Sequence, residues 1–530
     1  MRMTTPSPQS LRPSRRPDGP RRHVGMAALV SLTLILGGCS SGADEVTDEG
    51  SATTDGTSAP AEDGRSLVVA HPQEPPDWNH VQGTATAIRV LTFHNIVEPL
   101  VERMGDGSFE PLLAESYEVT DDGLTYTFHI REATFHDGSD LDAADVVYSL
   151  EYNRESPNGQ VSVPFEAVES IEATDEATVV VTLSQPSQRF LVGMSRDSGM
   201  VIPEDSGDAM AQGPIGTGPY VFGDWRPGVD VTLDRYEDYW GDLPFFDDVT
   251  WRFISDETAS INALLAGDVD MIASILGEGI DRYASVDETD GFRGVTTAGS
   301  EITYLSLNAT DPAFEDERIR QAIAHAIDRQ PILDGAFAGL ASPNCVFVNP
   351  PSEPWNSDHC PYPYDPSRSR ALLAEAGAEG MQIDFKHLTI AEFPPIMEVV
   401  TAQLSEVGFN VVTEGRELAT YLDEVLGEAN DYQFTSLSGP SQIDAWVCPG
   451  RFTLDCLPEF DDLLLQADAA VDVDEWASLR RQAVEMHADR AFLIPIGNKE
   501  EVTLIRDDLA GVKSYRSASE MDLRHLSWSS

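Results

Sequence analysis

Five cysteines, 11 histidines and 90 acidic residues are the first places to look for chemistry in this sequence of 530 residues. A serine nucleophile on a sharp turn takes the form Gly-x-Ser-x-Gly, because glycine on either side lets the chain fold tightly beneath the hydroxyl. The pattern occurs at Gly38-Cys-Ser40-Ser-Gly42, inside an N-terminal segment that export processing would sever, so it is a chance match. The helical zinc pattern His-Glu-x-x-His is absent, and the histidines lie too far apart to make a local metal site. His94 and Glu98 stand four residues apart and would share one helix face; a polar contact is the ordinary reading of such a pair, a metal the rarer one. Gly216-Thr-Gly218-Pro-Tyr lacks the third glycine of a dinucleotide loop and carries Pro219, which reads as a turn. The only lysines are Lys386, Lys499 and Lys513, none preceded by glycine, so a Walker-type phosphate loop is missing. No pattern supports catalysis, a metal or a cofactor, and the expectation is a protein that is not an enzyme.

Cys39 stands apart from the other four cysteines. Arg2, Arg12, Arg15, Arg16, Arg21 and Arg22 crowd the start of the chain against Asp18 alone, and an apolar run follows over 24–36. That run is shorter than the ~20 residues a membrane-spanning helix needs, but it suits the core of a signal peptide. Leu36-Gly37-Gly38-Cys39-Ser40 ends it and resembles the lipobox of bacterial lipoproteins, whose cysteine takes a diacylglycerol after cleavage just before it. Residues 1–38 are therefore expected to be a signal peptide, exported by the general secretory or the twin-arginine route, with Cys39 lipidated. Residues 39–65 are rich in Ser, Thr, Gly, Asp and Glu without an aromatic, and read as a flexible acidic tether. The body would then work outside the cytoplasm, held by lipid to the outer face of the cell membrane. In that oxidising compartment the remaining four cysteines suggest two disulfides; three connectivities exist, and the local one, Cys345–Cys360 with Cys448–Cys456, is expected.

The 34 Lys+Arg against 90 Asp+Glu give a formal charge of −56. Nucleic acid is excluded as a partner, because phosphate backbones are bound by neutralising them with Lys and Arg. Processing after residue 38 would remove six arginines and one aspartate and take the charge to −61. Such a surplus reads as solvated acidic faces suited to a saline habitat rather than as a lure for cationic solute.

The body that must position any site alternates strand and helix signals. Ser66–Ala70 reads as a strand and Ala85–Val101 as a helix, followed by strands over Ala114–Val119 and Leu124–Ile130 around an Asp-Asp-Gly turn. Leu141–Asn153 reads as a helix with Asp142 and Asp145 at its N-terminus, and Ser170–Leu183 as a second hairpin. Strands are expected over Gly218–Trp225, Val229–Arg235, Val249–Ile254, Val269–Ser274 and Ile302–Asn308, and again over Phe409–Thr413, Phe492–Ile496 and Val502–Ile505. Helices are expected over Ser260–Ala266, Glu315–Arg329, Ser367–Ala376, Ile396–Val407 and Asp474–Ala488, with Gly267, Gly377 and Gly408 as C-caps. The outcome is a mixed α/β body of about three domains.

Several blocks in this body read together: Asn95-Ile-Val-Glu-Pro-Leu-Val-Glu102, Pro111-Leu-Leu-Ala-Glu-Ser-Tyr-Glu-Val119, Phe135-His-Asp-Gly-Ser139 and Ala143-Ala-Asp-Val-Val-Tyr-Ser-Leu150. Gly216-Thr-Gly-Pro-Tyr220, Tyr236-Glu-Asp-Tyr-Trp-Gly241, Leu264-Leu-Ala-Gly-Asp-Val-Asp-Met271 and Tyr304-Leu-Ser-Leu-Asn308 continue the series in order. Over almost the whole mature body this resembles the family 5 extracellular solute-binding proteins, the peptide/nickel type that serves ABC importers. The resemblance implies a periplasmic-binding-protein type II-like fold in three lobes: lobe I from 66–99, 215–302 and 493–530, lobe II from 100–214, and lobe III from 303–492. It implies a monomeric receptor that captures a small solute, an oligopeptide or dipeptide, by hinge closure and hands it to permease subunits. An oligosaccharide, opine or nickel-chelate receptor, or a sensor reporting occupancy to a signalling partner, is the alternative.

In peptide-binding relatives a late aspartate near a tryptophan pairs with the solute amine; here Ser438-Gly439-Pro440 stands in its place, with Asp444 and Trp446 shortly after. The other candidates for contact with solute are Gln73, Glu74, Asp77 and Trp78 after the first strand, Tyr304 and Asn308, Trp355 between the first cysteine pair, and Ser436.

Overall fold

The computed structural model describes residues 65–529 apart from 84, 105–106, 276–279, 349–352, 391, 428–429, 441–442, 449–454 and 513–520. The expected signal peptide, lipidated Cys39 and tether residues 39–64 lie outside the described residues. Among the described residues an 11-stranded sheet organises the chain. From one edge to the other its main path runs Asn410–Arg416, Gln382–Leu388, Phe434–Pro440, Phe292–Leu307, Leu493–Arg506, Met271–Ile275, Ser66–His71, Asp248–Phe253, Asp230–Arg235 and Tyr220–Arg226.

Two neighbouring strands, the crossing strands, are the longest of that path, with 16 residues in Phe292–Leu307 and 14 in Leu493–Arg506. They pair antiparallel and lose register twice, between Ala298 and Ile302 and between Thr303 and Tyr304. At the irregularity, a Cβ on Gly299 would stand 2.3 Å from the Lys499 carbonyl oxygen, so only glycine lets the two backbones approach there. The sequence pattern breaks the second strand into Phe492–Ile496 and Val502–Ile505 because Gly497-Asn-Lys-Glu-Glu501 interrupts the apolar run. The structure runs straight through it. Asn498 is buried, with its amide nitrogen on the Val348 carbonyl (2.9 Å) and its oxygen accepting from Asn344 (2.8 Å), so its side chain is satisfied inside the sheet.

Buried apolar side chains gather into separate bodies along these strands. A first body packs Leu67, Trp78, Tyr220, Trp251 and Ile505 together, with Ile261, Leu264 and Val502 beside it. A second body is built on Phe128, Val146, Val181 and Phe190. Its four-stranded sheet runs Ala114–Val119, Thr125–Ile130, Thr178–Leu183, Val168–Asp175. Asp142 and Asp145 cap its helix Ala143–Arg154 reciprocally, each carboxylate accepting from the other's backbone N–H. A third body covers both faces of the Phe434–Pro440 end of the large sheet, with Leu305, Ile323 and Phe385 on one face and Tyr304, Tyr421 and Trp476 on the other. The crossing strands therefore belong to two bodies at once, the first at Phe292–Val295 and the third at Ile302–Leu307. No helix among the described residues is long and apolar enough to cross a membrane.

Two expected helices are shorter than their apolar spacing suggests. The first spans only Thr86–Thr92, because Asn95 turns inward and uses its side chain on the Met521 carbonyl (2.6 Å) and the Leu523 N–H (3.0 Å). His94 accordingly takes a left-handed backbone (φ 61°), which removes it from any helix face shared with Glu98. The second spans Glu317–Ala326 and stops at extended Ile327, after which Arg329–Phe337 starts a new helix. Arg329 sends its guanidinium Nε to the carbonyls of Pro495 (2.8 Å) and Asn344 (3.0 Å), a tertiary demand that outweighs continued helix.

Candidate functional site

Three of the blocks that read together in sequence, those around Glu98, Gly216 and Tyr236, meet in space around one carboxylate. Glu98 is fully buried and accepts from Thr217 Oγ1 (2.9 Å), Tyr239 OH (2.9 Å) and Trp240 Nε1 (2.8 Å). Burial pushes its carboxyl up to about 7, against the pull of those three donors and of the nearby Arg524 cation. Gly216 lies so close to this segment that a Cβ on it would meet the Ile96 carbonyl oxygen at 2.0 Å. These blocks are thus a structural knot where the first and second bodies join. Among the described residues no group of three or more His, Cys, Asp or Glu is placed to hold a metal ion.

Around the crossing strands, the loop after the first strand is pinned by the candidates themselves. Glu74 accepts from Trp225 Nε1 (2.9 Å) and from the Gly228 N–H (2.9 Å), and Asp77 accepts from the Asn79 N–H (3.0 Å). Trp78 is 0% exposed and sits edge-on to Phe222 (4.8 Å) and Trp225 (5.5 Å). The Gln73 N–H donates to His71 Nδ1 (3.2 Å). Glu74 and Trp78 therefore act together as a wedge that holds this loop on the hairpin Tyr220–Arg235.

The candidates of the third body fall into two groups. Tyr304 is buried against Phe347 (5.0 Å), and Asn308 gives its amide to the Tyr432 and Asn430 carbonyls (2.9 and 3.2 Å). Ser438 Oγ pairs with Thr303 Oγ1 at 2.8 Å, near the end of the strand that meets Glu301. Ser436 is fully buried, and its hydroxyl finds no hydrogen-bond partner among the described residues. Trp446 closes the short turn Ile443–Trp446, and its side chain lies outside the described residues.

Trp355 and Asp444 come together at Arg480. The guanidinium of Arg480 lies 4.7 Å from the Trp355 ring centre and donates to Asp444 at 3.1 and 3.3 Å. The Asp444 side chain is 41% exposed; its partial burial would raise the carboxyl, but Arg480, with Arg189 beyond it, holds it below the usual carboxylate value. Trp476 meets Trp355 edge-on (4.9 Å), and Arg103 of the second body reaches the same pair, 5.6 and 5.7 Å from the two ring centres. The Cys345–Cys360 bridge encloses Trp355, and Cys448–Cys456 follows Asp444. Sequence reasoning missed Arg103, Glu353, Trp476 and Arg480. The one available signal was Trp476 with Arg480 four residues later, a spacing that stacks a guanidinium over an indole on one helix face. A recess of about 510 Å³ lined by Glu132, Asp140, Asp238 and Trp240 among others includes none of the sequence candidates.

Residues 108–444 match the sequence profile of bacterial extracellular solute-binding proteins, family 5, middle region. The chain belongs to this family. This family 5 protein is 28% identical over 429 residues to the glutathione-binding protein GsiB of Shigella dysenteriae, a match covering 76% of this chain and 82% of the relative. Its fold matches AgaA of A. tumefaciens R10, solved with agropinic acid, at 25% identity and a TM-score of 0.68, over 88% of this chain and 99% of the other. The peptide-bound periplasmic binding protein DppA of Helicobacter pylori matches with a TM-score of 0.69 at 24% identity, over 88% and 98% of the two chains. The type II periplasmic-binding-protein fold expected from the sequence is therefore present, and the family is one of extracytoplasmic solute receptors for ABC importers.

Proposed function

We propose that this solute-binding receptor captures a short peptide or peptide-like acid and delivers it to an ABC importer while anchored to the membrane through lipidated Cys39. The first, second and third bodies act in this reading as lobes I, II and III. The observation that carries the closure mechanism is the pair of crossing strands, shared by the first and third bodies and irregular at Ala298–Tyr304, where small backbone changes can swing one body against the other. Likeness to the glutathione-binding protein supports the peptide class. Asp444 is already paired with Arg480 and Arg189, so a peptide amine must find a different acceptor. Of the sequence candidates, we assign Ser438 and Trp446 to the solute, since Ser438 lies near the end of the strand that meets Glu301 at the irregularity and Trp446 ends the turn that follows it. A second reading, an opine-like acid, is favoured by the likeness to AgaA.

Calorimetry of the soluble body against glutathione, di- and tripeptides and agropinic acid tests the assignment. A peptide or glutathione should bind with affinity in the micromolar range or tighter, and Trp446→Ala should weaken it at least about tenfold without lowering the unfolding midpoint. Binding of agropinic acid alone would establish the second reading, and no binding across the set would overturn both.

A further inference from the structure

Among the described residues the second and third bodies share no strand, yet a buried ion pair joins them. Arg103 lies on the short strand Val101–Arg103, which pairs with Phe109–Pro111. It donates through both terminal nitrogens to Glu353, Nη1 to Oε1 at 3.1 Å and Nη2 to Oε2 at 2.6 Å. The two side chains are 6% and 8% exposed, although 250 residues separate them in sequence. Behind the pair stand Trp355 and Trp476, already capped from the third body's own side by Arg480. A second contact lies nearby, where Asp468 accepts from the Arg189 N–H (3.0 Å) and Ser187 Oγ (3.2 Å), and the Val471 carbonyl accepts from Gln188 Nε2 (3.0 Å).

We propose that Arg103 and Glu353 form a latch that holds lobe II against lobe III in the closed receptor and sets how fast solute is released. This rests on the solute-receptor reading above. The bidentate geometry is specific, because two parallel hydrogen bonds form only when guanidinium and carboxylate meet at one distance and in one orientation. Its net energy is close to balanced, because pulling the pair apart restores the hydration that burial removed. A contact with those two properties specifies one closed arrangement without making closure irreversible. The indoles suit the same role. When Arg103 departs, Trp355 and Trp476 stay packed on each other and under Arg480, so opening exposes little apolar surface.

The test uses the full soluble body without solute, spin-labelled at Glu118→Cys in lobe II and Ser405→Cys in lobe III, with the distance distribution read by pulsed electron resonance. Wild type should show one narrow population. Glu353→Gln, which leaves Arg103 without its carboxylate, should broaden the distribution toward longer distances. Arg103→Lys keeps a cation but gives up the paired hydrogen bonds and the flat stack, and should shift it less in the same direction. In stopped-flow with a bound peptide, Glu353→Gln should raise the dissociation rate at least about tenfold and change the association rate by less than about threefold. Unchanged distance distributions in both folded variants would overturn the latch whatever the solute proves to be. Failure to find a solute would leave the distance result standing and count against the receptor's solute assignment alone.

Discussion

Glu98 shows how a single side chain can hold a junction together and still make it sensitive to acid. It is fully buried with three hydrogen-bond donors, and its carboxyl is pushed up to about 7 because burial disfavours the charged form more than the donors favour it. An ordinary unfolded carboxyl titrates near 4.5. Between those values the folded chain holds a proton that the unfolded chain has lost, so this group's contribution is fully present below pH 4.5 and is lost as pH rises through 7. At about 1.4 kcal/mol per unit, the loss amounts to roughly 3 kcal/mol by neutral pH. Glu98→Gln removes the titration. The difference in unfolding free energy between wild type and this variant, measured in urea from pH 4.5 to 8, should therefore drift against wild type as pH rises. A flat difference would mean that Glu98 is ionised throughout, held by Arg524.

At the scale of elements, the crossing strands carry the molecule's defining irregularity, and Gly299 is the residue that permits it. Gly299→Ala would place a methyl 2.3 Å from the Lys499 carbonyl oxygen, and the strands must part to accept it. Overpacking of this kind costs about 1–3 kcal/mol, so the urea midpoint of the variant should fall accordingly, and an unchanged midpoint would show the strand pair already loose enough to absorb the group. The sequence made much of this element order legible, because strand alternation, helical spacing and capping residues are local signals. Asp142 with Asp145 and the glycines at 267, 377 and 408 ended up at the caps where their chemistry predicted them. What local signals missed was tertiary: Asn498 and Glu501 look like a break in a strand and lie buried within one. The site was less legible for the same reason. Trp355 and Asp444 are met by Arg480, and Trp355 also by Arg103, a cation from the far end of the chain, and no spacing along the sequence announces that meeting.

At the scale of the whole molecule, the acidic surplus decides how the body answers to salt. The first 64 residues hold six arginines and eight acidic residues, so of the −56 total the remainder of the chain keeps −54. A compact body of this length has a radius of gyration of roughly 23 Å. At about 0.01 M salt the screening length is ~30 Å, so each carboxylate repels others across the entire body; at about 1 M it is ~3 Å and only immediate neighbours remain in view. Exposed pairs such as Arg370–Glu406 and Arg368–Glu375 weaken over the same range, but each is worth little, about 0–1 kcal/mol. The desolvated Arg103–Glu353 pair is shielded from the added ions. Repulsion relieved should therefore exceed attraction lost, and the unfolding temperature of the soluble body should climb by several degrees between 0.01 and 1 M sodium chloride. Sodium chloride is the right salt for this measurement, because sulfate would strengthen apolar burial as well as screen charge. A falling temperature would mean that paired charges, rather than the net surplus, govern the fold's stability.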